Sequence, residues 1–397
     1  MKIFYFIIFA SFAIAAIPSL TNADMGVVHW PPNIHISETD QNAIIAWNGQ
    51  EEVLILSTNW EKPSNSQTSL LLRVLPLPTE PLEIKEGETE IFDKLVKILN
   101  EKINAMPPTP LMEGVANAPT GAEPEGVKIV SQKVIGAHDI TVVKVLKEND
   151  FSKWIDDFAT EKGLEKKQIS ERFKKGLLNY LQRDIKYFVF DIANLSDTKT
   201  TIKPLIYKFK SNYFYFPLLI SGISEIGDSE GKVSLFLIFN ENLKLPGKIW
   251  HGDRYYFIND NNSNIKLTID ELKGVSEYLS SLFNTDVFVR SFQLVGKLSE
   301  INKDVMLFPQ ILTNNLKIGT KSNDVKILQQ LLINEGFWES ELDATGYFGP
   351  ATKKAVMKLQ NQYKTQILEP LGLSTPTGFV GPYTRKYLNE NFSIGME

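Results

Sequence analysis

The chain contains no cysteine. That absence removes disulfides, thiolate nucleophiles, thiolate metal sites and a lipidated N-terminal cysteine together, and it leaves stability to packing. Histidine is almost as scarce, with four in 397 residues: His29, His35, His138 and His251. A zinc hydrolase needs clustered imidazoles, and neither a His-Glu-x-x-His nor a His-x-His pairing occurs. His29 and His35 flank Trp30-Pro31-Pro32 and read as two surface residues, so no metal site is expected. Charge of one sign is not concentrated anywhere: 42 Lys and Arg stand against 47 Asp and Glu, for a net charge of −5. Without a basic stripe, nucleic acid is not an expected partner. Serine chemistry is not expected either. The Ser-x-x-Lys tetrads that begin at Ser196, Ser229 and Ser263 fall in polar turns, and no Lys-Thr-Gly accompanies them. No catalytic residue and no cofactor is assigned.

What the chain does have is 43% hydrophobic and 11% aromatic residues, a composition that folds. The length suggests about two or three domains. At the N-terminus, Lys2 precedes an apolar run from Ile3 to Ile17, broken by Pro18. Thr21-Asn22-Ala23 then offers small side chains at −3 and −1, so residues 1–23 read as a signal peptide with Asp24 as the first mature residue. The run is shorter than the ~20 residues a membrane span needs. The expectation is export to the periplasm, cell wall or medium, with no stable membrane insertion after cleavage.

The next region, residues 24–300, mixes strands with segregated helices and predicts an α+β domain. Ala43 to Pro76 reads as β structure, and Asn48-Gly49 after Ala43 to Trp47 is a hairpin signal. Phe92, Leu95, Val96, Leu99 and Ile103 recur at helical spacing behind Thr89, a candidate N-cap. Met106 to Gly126 reads as a long Pro- and Gly-rich loop. Asp150 is a candidate cap for a helix bearing Phe151, Trp154, Ile155 and Phe158, and a second helix is expected from about Lys167 to Leu181. Four strand-like segments follow, Tyr187–Ile192, Ile202–Phe209, Phe214–Ile220 and Val233–Phe239. A helix near Leu272–Phe283 and a strand near Val287–Val295 close the region.

Gln41 with Ala43-Ile44-Ile45, Val74-Leu75-Pro76-Leu77-Pro78, Gly136-Ala137-His138-Asp139, Trp154, Tyr187-Phe188, Pro204-Leu205 and Pro217-Leu218 occur in the order seen in domain-of-unknown-function family 2330. From about Ala23 to Asn240 the chain resembles that family. The resemblance implies export and one folded unit, and it brings no activity or catalytic residue.

Residues 314–392 carry the most specific signals. Ser322-Asn323-Asp324 caps a helix that places Val325, Leu328, Leu331 and Leu332 on one face, and Gly336 ends it. Thr345-Gly346-Tyr347-Phe348-Gly349-Pro350 is echoed by Thr377-Gly378-Phe379-Val380-Gly381-Pro382, so one local unit is used twice. Each copy launches a helix through Gly-Pro, where a missing N–H costs nothing. A small all-α, three-helix domain is expected. Gly319, Asp324-Val325, Leu328-Gln329-Gln330-Leu331-Leu332, Thr345 to Gly349, Thr352, Ala355-Val356, Gln360 and Thr377 to Arg385 closely resemble the peptidoglycan-binding domain family. The segment from Thr365 to Pro376 is an insert relative to its pattern. The resemblance implies peptidoglycan as the partner. Tyr347, Gln360, Tyr363 and Arg385 have the amide, phenol and guanidinium groups that bond glycan hydroxyls or peptide carboxylates, and the same residues can equally serve the fold.

Asp260 to Glu271 places oxygens at loop positions one, three, five and twelve of a calcium loop. Ile265 occupies the position that needs glycine, so an Asn-rich turn before a helix is the expected reading. Two functions remain open. One is a non-catalytic envelope protein anchored to peptidoglycan by its C-terminal module. The other is a muramidase-like wall hydrolase whose carboxylate pair lies unrecognised among the 47 acids.

Overall fold

A computed structural model describes residues 25–30, 37–61, 69–104, 126–164, 169–195, 199–201, 203–223, 230–240, 243–244, 256–257, 264–297, 304–307, 312–338, 344–392 and 395–396. The segment 1–23, the loop 106–125, His35 and His251 lie outside the described residues.

The chain opens with β1 (Gly26–Trp30), β2 (Ser37–Trp47), β3 (Glu51–Glu61), β4 (Ser69–Leu77), β5 (Pro81–Glu86) and α1 (Ile91–Asn104). The β2–β3 hairpin turns on Asn48-Gly49. Gly49 sits at φ 99°, and Asn48 Oδ1 accepts the backbone N–H groups of Gln50 and Glu51 at 3.0 and 2.9 Å. Then come β6 (Val127–Ile135), β7 (His138–Val145), α2 (Glu148–Glu161) and α3 (Glu171–Gln182). Asp150 lies inside the first turn of α2, whose N-cap is Lys147, and its carboxylate complements the helix dipole there. Ser170 caps α3 by accepting the N–H of Phe173 at 3.1 Å.

Next are β8 (Tyr187–Leu195), β9 (Lys199–Thr201), β10 (Leu205–Lys210), β11 (Phe214–Phe216) and α4 (Leu218–Ile223). The apolar run from Phe214 to Ile220 is therefore not one strand. Pro217 has no N–H for a ladder, so β11 stops before it and a helix follows. The region ends with β12 (Glu230–Phe239), β13 (Leu243–Lys244), β14 (Tyr256–Phe257), β15 (Ile265–Leu267), α5 (Ile269–Val275), α6 (Glu277–Ser280), β16 (Val287–Lys297) and β17 (Val305–Leu307). The helix expected near Leu272–Phe283 is split at Ser276, whose hydroxyl caps α6.

Two large sheets form. One has five strands in the order β1-β4-β8-β7-β6. The other has nine, along β14-β16-β12-β2-β3-β10-β5, with β15 on β16 and β9 on β3. The β12–β2 pair is parallel. The period-two rule sorts the larger sheet's side chains. Ile44, Ala46, Val53, Ile55, Phe236 and Ile238 join α1, α5 and α6 in one apolar cluster. Their neighbours Ala43, Ile45, Leu54, Leu56, Leu235 and Leu237 join a second cluster with the smaller sheet, α2 and α3. Residues 43–47 are thus buried on both faces, which explains an apolar run without alternation. On the helix side of the smaller sheet, Phe151 packs against Phe188 with ring centroids 4.8 Å apart.

β17 pairs with β11 and so belongs to the α+β body, past residue 300. The C-terminal region holds α7 (Asn323–Asn334), α8 (Pro350–Gln362), α9 (Lys364–Ile367), a 3-10 turn (Glu369–Leu371), α10 (Pro382–Phe392) and β18 (Gly395–Met396). It is a small helical domain around Val325, Leu328, Leu332, Phe348, Val356, Leu359, Val380 and Leu388. The insert contributes α9 and the 3-10 turn. β18 returns to pair with β13 of the large domain.

Candidate functional site

The repeated turns of the C-terminal domain are built on two buried glutamines. A turn exposes backbone N–H and C=O groups that neither helix nor sheet satisfies, and an amide can serve both kinds. Gln329 Nε2 donates to the carbonyl of Tyr347 at 2.8 Å and to Thr352 Oγ1 at 2.9 Å, while its Oε1 accepts Gly346 N–H at 2.8 Å. Gln360 repeats this in the second turn. Its Nε2 donates to the carbonyl of Phe379 at 2.8 Å and to Thr384 Oγ1 at 3.1 Å, and its Oε1 accepts the N–H groups of Thr377 and Gly378 at 3.0 and 2.9 Å. Gly346 and Gly378 hold φ 74° and 69°, a region that suits glycine. Phe348 and Val380 point into the core and are fully buried.

A short segment threads between the turns. Leu316 and Val380 exchange backbone hydrogen bonds of 3.1 and 2.9 Å. Three residues on, Gly319 N–H donates to the carbonyl of Phe348, and Phe348 N–H donates to the carbonyl of Thr320. Lys321 bridges to Tyr347. Both turns therefore border one strip of backbone, with Ile318 exposed in its middle.

The four residues singled out from sequence are placed differently. Tyr347 is 48% exposed on the first turn. Arg385, on α10, donates to Asn315 Oδ1 and to the carbonyl of Val380, at the rim of the second turn. Tyr363 ends α8, half-buried, with its ring 4.5 Å from that of Tyr387 and 6.2 Å from that of Phe337. Gln360 is 1% exposed and lies beneath the second turn. Sequence reasoning did not single out Phe379, Tyr383 or Ile318 for the surface, yet all three are exposed. The signal was available for Phe379, which occupies in the echo the place of Tyr347. Six of the ten exposed large hydrophobic residues among those described lie in this small domain, so apolar surface is concentrated here.

Among the described residues, the buried acids Asp191, Asp304 and Glu52 each accept at least one hydrogen bond, while Asp191 Oδ1 and Glu52 Oε1 have none. Asp191 bonds Arg73, and its Oδ2 lies 2.9 Å from His138 Nδ1. Burial alone would push the Asp191 carboxyl up, but Arg73 and His138 outweigh it and hold it below the usual carboxylate range. Asp304 accepts Tyr180 OH at 2.8 Å and Leu219 N–H at 2.9 Å, and it pairs with Arg183. Glu52 Oε2 accepts Tyr215 N–H at 2.8 Å, and burial pushes its carboxyl well above the ordinary value. Glu271 serves a capping box with Thr268 and pairs with Lys102 at 2.7 Å, so both its oxygens are engaged. Asp260 to Ser263, with Ser196 and Ser229, lie outside the described residues. Among those described, no group of three or more His, Asp or Glu is placed to hold a metal ion. Gly227-Asp228-Ser229-Glu230-Gly231 has the spelling of a nucleophile elbow. It follows α4 and leads into β12, the reverse of the strand-to-helix order an elbow requires. No helix among the described residues is long and apolar enough to cross a membrane.

A family model described as "Uncharacterized protein conserved in bacteria (DUF2330)" matches residues 22–239, more than half of the chain. A second, "Putative peptidoglycan binding domain", matches residues 321–388, which hold both turns. No curated protein matches the chain. Solved structures that show a likeness include two of baculovirus P35. Baculovirus P35 is 14% identical, over 70% of this chain and 98% of that one. A mutated baculovirus P35 after caspase cleavage is 10% identical, over 67% of this chain and 98% of that one. Both give a TM-score of 0.34.

Proposed function

The chain belongs to the DUF2330 family of bacterial proteins, and we propose that it is an exported, non-catalytic envelope protein held on peptidoglycan through its C-terminal domain. The observation that carries this reading is the peptidoglycan-binding match over residues 321–388, the same residues that fold into two exposed, pinned turns. Tyr347 and Arg385 contribute to the contact surface, Tyr363 supports its far end, and Gln360 acts from beneath. We place the domain boundary between Leu307 and Leu312, because β17 is paired with the large domain and Leu312 exchanges hydrogen bonds with Asn389 of α10.

The test uses the mature chain and a chain ending at Leu307, each sedimented with purified peptidoglycan at low and high salt. The mature chain is expected to pellet at both, since exposed charges are screened beyond about 8 Å at physiological ionic strength and the aromatic and hydrogen-bonding contacts of the turns do not depend on them. The shortened chain is expected to stay in solution. Equal pelleting of both chains would overturn the anchor. Soluble fragments released from the wall would make the chain a hydrolase instead.

A further inference from the structure

We infer that the two turns form one glycan-reading face, with Tyr347 and Phe379 each stacking on a sugar ring of a β-linked amino-sugar strand. The inference rests on the wall-binding reading above and narrows it to the carbohydrate rather than the peptide of the wall. The two aromatic residues are structurally equivalent. Each follows a Thr-Gly pair, each carbonyl is held by a buried glutamine, and each side chain is exposed. Each ring also rests on the glycine two residues ahead. A Cβ on Gly349 would lie 3.7 Å from the Tyr347 ring, and one on Gly381 would lie 2.9 Å from the Phe379 ring. The rings are thus seated against backbone that is itself pinned, so little conformational freedom remains to be lost on binding.

The spacing fits a polymer. Leu316 pairs with the second turn and Lys321 bridges to the first, and five residues span at most about 18 Å. A strand of a few sugars can touch both rings and cross Ile318 between them. The domain as a whole is nearly balanced in charge. From Leu312 onward nine basic residues, Lys317, Lys321, Lys326, Lys353, Lys354, Lys358, Lys364, Arg385 and Lys386, stand against eight acids. A hydroxyl-rich strand with apolar ring faces suits exposed aromatic rings rimmed by Tyr383, Arg385, Lys317 and Lys321, whose polar groups bond hydroxyls.

The test titrates the intact mature chain with the β-1,4-linked dimer and tetramer of N-acetylglucosamine. The tetramer is expected to bind and the dimer to bind at least about tenfold more weakly, because the tetramer offers more sugar faces to the two rings at once. Tyr347→Ala and Phe379→Ala should each weaken the tetramer about tenfold with circular dichroism unchanged. Gly381→Ala should do the same by displacing the Phe379 ring without deleting it. Unchanged affinity in both alanine variants would overturn the inference. So would an inert tetramer while intact peptidoglycan still pellets the chain, an outcome that leaves wall binding standing. If the tetramer is inert and peptidoglycan does not pellet the chain, the wall-binding reading falls as well.

Discussion

Replacing Gln360 with alanine separates a groove residue from a structural one. Its amide makes four hydrogen bonds, three of them to backbone groups of the second turn: the N–H of Thr377, the N–H of Gly378 and the carbonyl of Phe379. A buried backbone group left without a partner costs about 1–3 kcal/mol. Phe379 is partly exposed, so water can recover some of that cost at its carbonyl. The deleted amide also leaves a void under the turn. A loss of about 3–4 kcal/mol follows, most of what a domain of this size possesses. At about 4–8 °C per kcal/mol for 60–100 residues, the domain's melting point should fall by roughly 12–30 °C. Calorimetry of the intact chain should show the low-temperature transition move while that of the large domain stays in place. Peptidoglycan binding should disappear at 37 °C and return on cooling below the new midpoint. An unchanged melting profile with binding abolished would refute the reasoning and put Gln360 in the groove.

The remaining predictions concern the large domain. Burial raises the Glu52 carboxyl, so the folded state keeps the proton to higher pH than the unfolded chain does. The stability this provides is fully present below the unfolded pKa and is lost as pH rises toward the folded value. Glu52→Gln should therefore raise the melting point relative to the parent at pH 8 and converge with it near pH 4; a gap that stays constant with pH would count against a buried neutral acid. Asp304→Ala removes the carboxylate paired with the buried Arg183 guanidinium and should cost about 3–5 kcal/mol in urea unfolding. Adding Arg183→Met should recover much of that loss, and a single-variant loss below about 1 kcal/mol would show that the pair is solvated.

The C-terminal domain was legible because its code is local and written twice. Thr-Gly, Gly-Pro and the apolar stripe of Val325, Leu328 and Leu332 each act within a turn or two of chain. Gln360 was legible as important but not in its role, since an amide serves a sugar hydroxyl or a backbone turn equally well. Only the approach of Thr377 and Gly378, seventeen and eighteen residues on, decides that. The large domain's class was readable from its strand and helix signals, but its layering was not, because residues 43–47 are apolar on both faces and do not say which sheet they meet. β17 is three residues long, too short for any periodicity. Arg73, His138 and Asp191 sit on separate strands, 65 and 53 residues apart in the chain, and nothing local announces their meeting.

The seam at β17 also sets a search radius. Leu307 is paired with the large domain and Leu312 with α10, so only four residues lie between them, and the five peptide steps reach at most about 18 Å. On a wall-bound chain the large domain is therefore leashed within a few nanometres of the glycan surface. A tether that short keeps the local concentration of wall-borne targets high and that of distant ones negligible. For a chain so bound, partners of the large domain within that reach of the glycan would be favoured over distant ones.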